Sequence, residues 1–238
     1  MKKTVFVFLY SLFLFLWGCD EPPANMEFYY NQPAIVTYSY NLQFMIETQA
    51  GTFFAPELAY LSEPLYEGDL LWTSFDVDLN NQPYSDRKTA SNLYYKRIFS
   101  TNATPLFDGS TYYDDPINLM LADVVIIRNL IFFWFSHDDV SVEQEYEYLM
   151  MYDEPEDGIE VPTLYIRARK SNNPTSYGNG VITCYGFDLS RFLDVYLAQN
   201  PASNEVLFNV VYLNGISNGE DEYRQLNNGF YFRWVVND

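Results

Sequence analysis

Beyond residue 33 the hydrophobic and polar positions alternate with a period of two, in short runs broken by Asn, Gly, Pro and Asp. The pattern predicts strands over Ala34–Tyr40, Gln43–Thr48, Asp69–Leu79 and Leu93–Phe99. Further strands follow over Asp123–Arg128, Ile131–Ser136, Tyr146–Tyr152, Thr163–Lys170, Val181–Phe187, Glu205–Leu213 and Gly229–Val236. The third run is the clearest. Leu71, Thr73, Phe75, Val77 and Leu79 share one face, and Trp72, Ser74, Asp76 and Asp78 the other, as expected of a half-buried antiparallel strand. Asn80-Asn81-Gln82-Pro83 closes it with turn chemistry. One helix is predicted, because Leu189, Phe192, Leu193, Tyr196 and Leu197 form a single apolar stripe. Ser190 is placed to cap it, and Asn200-Pro201 to end it.

The loop Ser100–Pro116, rich in Asn, Pro, Asp and Gly, divides the strands into two groups. The seven strands after it, with turn signals between them, predict a sandwich. The apolar run Leu119–Phe135 imitates a membrane span. Asp123, Arg128 and Asn129 interrupt it, and a hairpin turning at Arg128-Asn129 is the better reading.

The N-terminus carries an address. Lys2 and Lys3 precede an uncharged apolar stretch, Thr4 to Trp17, which as a helix at about 1.5 Å per residue is too short for a hydrocarbon core of roughly 30 Å. Residues 1–18 therefore read as a signal peptide. Leu16-Trp17-Gly18-Cys19 resembles a bacterial lipobox, which makes Cys19 the lipidation site and 19–32 a lipidated tether. Asp20-Glu21 resembles the surface-export signals of Bacteroidetes lipoproteins, so an outer-membrane lipoprotein on the periplasmic or surface face is expected.

Charge narrows the partners. The formal net charge is -19, and losing Lys2 and Lys3 with the signal deepens it to -21. A chain so acidic does not suit nucleic acid, and only its lipid end is expected to touch the membrane. Nothing in the sequence calls for a cofactor, a metal or a catalytic centre, and the protein is read as non-enzymatic. Gly215-Ile216-Ser217-Asn218-Gly219 satisfies the hydrolase-elbow pattern, yet the residues after it, Glu220-Asp221-Glu222-Tyr223-Arg224, lack an apolar helical face. His137 leaves a strand into an acidic turn and is expected to be solvated. Asp153-Glu154-Pro155-Glu156-Asp157-Gly158 is a tight acidic loop whose oxygens suit calcium, or simply a solvated hairpin tip. Cys184 is expected to be a small buried hydrophobe.

Four stretches resemble the NigD-like lipoproteins of the Bacteroidetes: Tyr66-Glu67-Gly68-Asp69-Leu70-Leu71, Asp123 to Phe135, Leu164 to Asn172, and Gly186-Phe187-Asp188-Leu189-Ser190. The resemblance implies an all-β protein. An N-terminal OB-like barrel over 33–110 is followed by a C-terminal antiparallel β-sandwich over 117–238, with one short helix in the second domain. It also implies an association with bacteriocin loci, and it brings no catalytic residues.

The aromatic fraction, 19%, leaves a lead. Trp72 and Trp234 are candidates for a sugar- or partner-stacking face. On the strand Leu164–Lys170, Tyr165, Arg167 and Arg169 point away from Leu164, Ile166 and Ala168. That basic stripe either pairs with acidic neighbours or receives an acidic partner or an acidic glycan. Three functions remain open: a lipid-anchored envelope interaction module, a glycan-binding or, less in keeping with the sequence, glycan-processing surface lipoprotein of a polysaccharide-utilisation system, and a bacteriocin-associated accessory or immunity factor.

Overall fold

The structure, a computed structural model, describes residues 25–82, 87–107, 112–119, 124–137, 141, 143–153, 161–174, 178, 180–199, 201, 203–226 and 231–235. Residues 1–18, read from sequence as a signal peptide, and Cys19 lie outside the described residues. Five strands, β1 (Met26–Tyr38), β2 (Phe44–Thr48), β3 (Gly51–Phe54), β4 (Leu70–Asp78) and β5 (Ser91–Arg97), form one sheet in the order β3-β2-β1-β4-β5. Its edges meet through a parallel bridge between Phe54 and Thr89. The Phe54 N–H donates to the Lys88 carbonyl at 2.9 Å and the Ala90 N–H to the Phe54 carbonyl at 2.8 Å. The resulting circuit, β1-β2-β3-β5-β4 and back to β1, is the curled, partly open barrel of an OB fold.

Alternation builds this barrel as the sequence predicts. Leu71, Thr73, Phe75 and Val77 are buried along β4, while Leu79 lies past the strand end and is exposed. The rings of Tyr29, Phe53 and Phe75 meet at 4.8 to 5.0 Å and fill one end of the core. Residues 26–32, read from sequence as tether, belong instead to β1: Met26 pairs with Asp78 and Glu27 with Val77. The register shifts between Tyr29 and Gln32, where Asn31 takes a φ of 53°. This bulge breaks the two-residue period that identifies a strand in sequence.

Eleven further strands build two more sheets. One runs β6 (Phe99–Asn102), β13 (Val181–Asp188), β10 (Leu130–His137), β8 (Asn118–Leu119), with β9 (Val125–Ile127) also on β10. The other runs β15 (Glu220–Gln225), β14 (Glu205–Ser217), β12 (Thr163–Lys170), β11 (Tyr146–Tyr152), β7 (Thr104–Pro105), with β16 (Phe232–Val235) on β14. Phe133, Phe135 and Phe187 of the first sheet face Tyr148, Ile166 and Phe208 of the second in one core, and Phe135 stacks on Tyr148 at 4.1 Å.

Two expectations are corrected here. The stretch read as a loop contains β6 and β7, which pair with β13 and β11 and carry the chain from the barrel into both sheets. The sandwich is mixed rather than antiparallel, because β6–β13, β7–β11 and β12–β14 are parallel pairs. Between β12 and β14 the chain crosses to the other sheet as β13, then returns through α1 (Ser190–Gln199), so β14 arrives in the same sense as β12.

The helix forms where its stripe predicts, with Phe192 and Leu193 buried. Its start is capped by Asp188 rather than Ser190: Oδ1 accepts from the Ser190 N–H at 2.8 Å and from its hydroxyl at 2.5 Å. Asn129 also donates to Asp188, at 3.2 Å, and the Asn129 carbonyl accepts from the Leu189 N–H at 2.8 Å. The turn between β9 and β10 thus seats the helix, which joins two of the stretches that carried the family resemblance. The described part of the apolar run Leu119–Phe135 is strand and turn, with Arg128 at a φ of 55°. Among the described residues no helix is long and apolar enough to cross a membrane.

Barrel and sandwich share a third apolar cluster. Ile35, Leu70 and Ile98 pack against Phe132, Trp134 and Cys184, with Trp72 partly buried beside them. Gly186 makes the fit possible. A Cβ there would stand 3.0 Å from the Phe132 ring and 3.4 Å from the Leu70 Cδ1. An ion pair between Arg128 and Glu47, 2.5 Å, also spans the two units.

Candidate functional site

The basic stripe of β12 has the orientation that alternation predicts, with Leu164, Ile166 and Ala168 buried in the core. Its charges, however, are consumed internally. Arg167 is only 3% exposed and pairs with Asp221, Nη1 to Oδ2 at 3.0 Å, while its Nε donates to the Tyr113 carbonyl at 2.7 Å. Arg169 donates through Nε and Nη2 to the Glu147 Oε2 at 2.8 and 2.5 Å and lies over the Tyr113 ring. The Tyr165 hydroxyl donates to Asp153 at 2.8 Å. Burial, then that bond, pushes the Tyr165 phenol up to about 12. Glu147 is the direct cross-strand partner of Arg169, and Asp221 arrives because the β14–β15 hairpin extends past the predicted strand end at Leu213.

Trp234 is likewise committed. It is half-buried, and its Nε1 donates to the Arg128 carbonyl at 2.7 Å, bracing the β9–β10 turn. His137 departs from the expected solvated turn. It ends β10 buried, stacked on the Tyr146 ring at 3.5 Å, with Nε2 2.8 Å from the Tyr148 hydroxyl.

Trp72 stands elsewhere. It lines a cleft of about 420 Å³ at the junction of the barrel and the sandwich. On the barrel wall Trp72 is the cross-strand partner of Lys96, and Phe99, 77% exposed, follows where the chain leaves the barrel. Glu143, Glu145 and Tyr146 form the facing wall, and Cys184 lies between the two. Gln144 fixes that wall: its Nε2 donates to Asn172 Oδ1 at 2.8 Å and to the Glu145 carbonyl at 2.9 Å.

The electrostatics of the cleft differ from those of the stripe. Among the described residues the Lys96 ammonium and the Glu143 and Glu145 carboxylates have no hydrogen-bond or ion-pair partner. The Trp72 Nε1 is buried without an acceptor, the one such atom in the described cleft wall. Leaving a buried donor unpaired costs about 1–3 kcal/mol, and such an atom calls for an explanation. Burial pushes the Cys184 thiol up, which keeps it neutral and unreactive. Burial, with Asp115 adding to it, holds the Tyr146 phenol at about 12. The aromatic surface continues along β5 from Lys96 to Tyr94, which is 70% exposed and opposite Ser74.

Trp72 was a candidate from sequence, whereas Lys96, Phe99, Glu143, Glu145 and Tyr146, which line the same cleft, come from segments remote in the chain and were not singled out. The available signal was a Trp on the polar face of an otherwise regular alternation. The remaining candidates resolve as structure. Asp153 accepts the Tyr165 hydroxyl, while Glu154 to Asp157 lie outside the described residues. Among the described residues no three of His, Cys, Asp and Glu gather as a metal site. The Gly215–Gly219 segment turns at Asn218-Gly219, both with positive φ, directly from β14 into β15. It is a strand end and hairpin turn, not a strand–turn–helix elbow.

No protein-family model matches the chain, and no curated protein matches it in sequence. Solved structures do match in fold. An uncharacterized protein from Parabacteroides merdae ATCC 43184 superposes with a TM-score of 0.66 at 15% identity, over 87% of this chain and 99% of that one. A provisionally named lipoprotein from Bacteroides fragilis NCTC 9343 gives 0.54 at 11% identity, over 88% and 95%. A NigD-like immunity protein from Bacteroides caccae ATCC 43185 gives 0.57 at 12% identity, over 91% and 99%. The chain therefore has the fold that its resemblance to the NigD-like lipoproteins implied.

Proposed function

We propose that this protein is a non-enzymatic, lipid-anchored binding module of the cell envelope, and that its ligand site is the junction cleft. The observation that carries the reading is the set of uncommitted groups beside Trp72: the Lys96 ammonium, the Glu143 and Glu145 carboxylates, and an indole N–H without an acceptor. Folded proteins satisfy their buried polar atoms, so the unpaired Trp72 N–H is the anomaly, and the exposed, unpaired charges of Lys96, Glu143 and Glu145 line the same concave junction, where a ligand can reach them. Burial pushes the Cys184 thiol toward its neutral form, so it offers the cleft no ready nucleophile. The lipobox at Cys19 and the fold shared with the Bacteroides fragilis protein support an envelope lipoprotein.

Capture from intact cells tests the reading. Wild-type and Arg169→Ala chains are expected to retain the same bound material, and Lys96→Glu to lose it. Equal retention by all three rejects the cleft. Cys19→Ala is expected to release the protein from membranes, and a membrane-bound Cys19→Ala chain rejects the anchor. A second reading, a bacteriocin-associated accessory or immunity factor, draws support from the fold shared with the Bacteroides caccae immunity protein. Protection of cells from a bacteriocin, lost on deletion of the gene, is the outcome that favours it.

A further inference from the structure

We infer that the junction cleft takes an uncharged saccharide; the inference rests on the cleft being the ligand site. Three properties of the cleft select this chemistry. The first is its mixture of ring faces and polar groups. Trp72, Tyr146 and Phe99 offer apolar surface from both walls, beside carboxylates and an ammonium able to hydrogen-bond. Sugars present C–H faces that pack on rings and hydroxyls that both donate and accept. An apolar ligand strips water from the exposed Lys96, Glu143 and Glu145 without replacing it, and a purely ionic one makes no use of the rings.

The second property is the sign of the charges. Glu143 and Glu145 are acceptors only, so they require donors from the ligand, and hydroxyls supply them without introducing charge. A uronate or sulfate meets two carboxylates in the cleft, where Lys96 is free and Arg97 is already held by Asp69 and the Pro64 carbonyl, on a chain of net charge -19. The arginines suited to receiving such an anion are already occupied, Arg167 by Asp221 and Arg169 by Glu147. A cationic ligand, conversely, meets Lys96. Neutral and rich in hydroxyls is the class that opposes none of these groups.

The third property is order. Gln144 holds Glu143 and Glu145 through Asn172, whose Nδ2 donates to the Glu143 carbonyl at 2.8 Å. The pairing of β4 with β5 holds Trp72 against Lys96. A saccharide binds weakly for its size, because it exchanges protein hydrogen bonds for water ones. A preorganised wall lowers the ordering cost of that exchange. The exposed Tyr94, beyond Lys96 on β5, extends the ring surface along which a longer chain would lie.

An array of neutral oligosaccharides (gluco-, manno-, xylo- and galacto-oligomers) printed beside uronate and sulfated ones tests the assignment with the full mature chain. Wild type is expected to bind at least one neutral series. Trp72→Ala and Glu145→Gln are expected to weaken that binding at least tenfold, and Arg169→Ala less than twofold. Because Trp72 also packs at the junction, Phe99→Ala, at an exposed position, provides a second variant, expected to weaken binding threefold or more with an unchanged melting temperature. Binding confined to uronate or sulfated members overturns the inference, as does neutral binding that survives both Trp72→Ala and Phe99→Ala. No binding to any array member also overturns it. If capture from cells still depends on Lys96 in that case, the binding-module reading stands and the saccharide assignment alone falls.

Discussion

The outer face of β12 and the junction cleft both set aromatic rings beside charged side chains, yet they are opposites in what they have left to offer. On β12 every polar group that the sequence singles out is spent: Arg167 on Asp221, Arg169 on Glu147 and the Tyr165 hydroxyl on Asp153. At the cleft, Lys96, Glu143 and Glu145 remain uncommitted, and the Trp72 N–H is buried without an acceptor. A pattern of residue types shows which charges exist. Only the fold shows which are already paired within the protein.

The comparison can be broken first at Arg167. Removing a buried partner leaves Asp221 without its cation and the Tyr113 carbonyl without its donor. Arg167→Ala is therefore expected to cost about 3 kcal/mol, measured by urea unfolding. A loss below about 1 kcal/mol would mean that the guanidinium is not structural, and would return the stripe to the list of ligand sites. Next comes Gly186→Val. Its Cβ would crowd Phe132 and Leu70, at an expected cost of about 2 kcal/mol, with the two units separating at the cleft. A crystal structure or small-angle scattering of the variant that shows an unchanged junction would show the notch to be dispensable.

A pH series sharpens the contrast from another side. Tyr146 in the cleft wall and Tyr165 on the stripe both hold their phenols to about 12 in the folded chain, against 10 for an ordinary tyrosine. Between these values the unfolded chain releases protons that the folded one retains, so stability is full below pH 10 and falls as pH rises toward 12. Urea midpoints at rising pH, followed with phenolate absorbance, check this. Ionisation of all tyrosines near 10 without loss of stability would contradict it. The smallest effect is expected at Arg169→Ala. It breaks an exposed pair with Glu147, so the loss is expected to be the smallest of the series and to diminish further in high salt.

How much of this was legible in the sequence depends on the range of the interaction. The alternation over Leu71–Val77, the turn at Arg128-Asn129 and the apolar stripe of α1 are local, and they appear where periodicity places them. The bulge at Asn31 concealed the first half of β1, and short β6 and β7 take their identity from partners far away in sequence. The parallel pairing of β12 with β14 depends on the path between them, which no alternation encodes. Burial of His137 follows from Tyr146 and Tyr148 on the facing sheet, not from its own acidic neighbours. The cleft was the least legible feature. Its walls come from β4, β5, the segment before β11 and β13, and only Trp72 hinted at it, as an aromatic on a polar face.

The account turns on where a ligand contacts this protein in the cell, and photo-crosslinking in living cells reads that directly. A photoreactive side chain at position 99, in the cleft, and one at position 169, on the stripe, are compared in otherwise wild-type protein. Adducts from position 99 that disappear in the Lys96→Glu background, with none from position 169, are the predicted result. Adducts from position 169 alone would contradict the account and move the binding surface to β12.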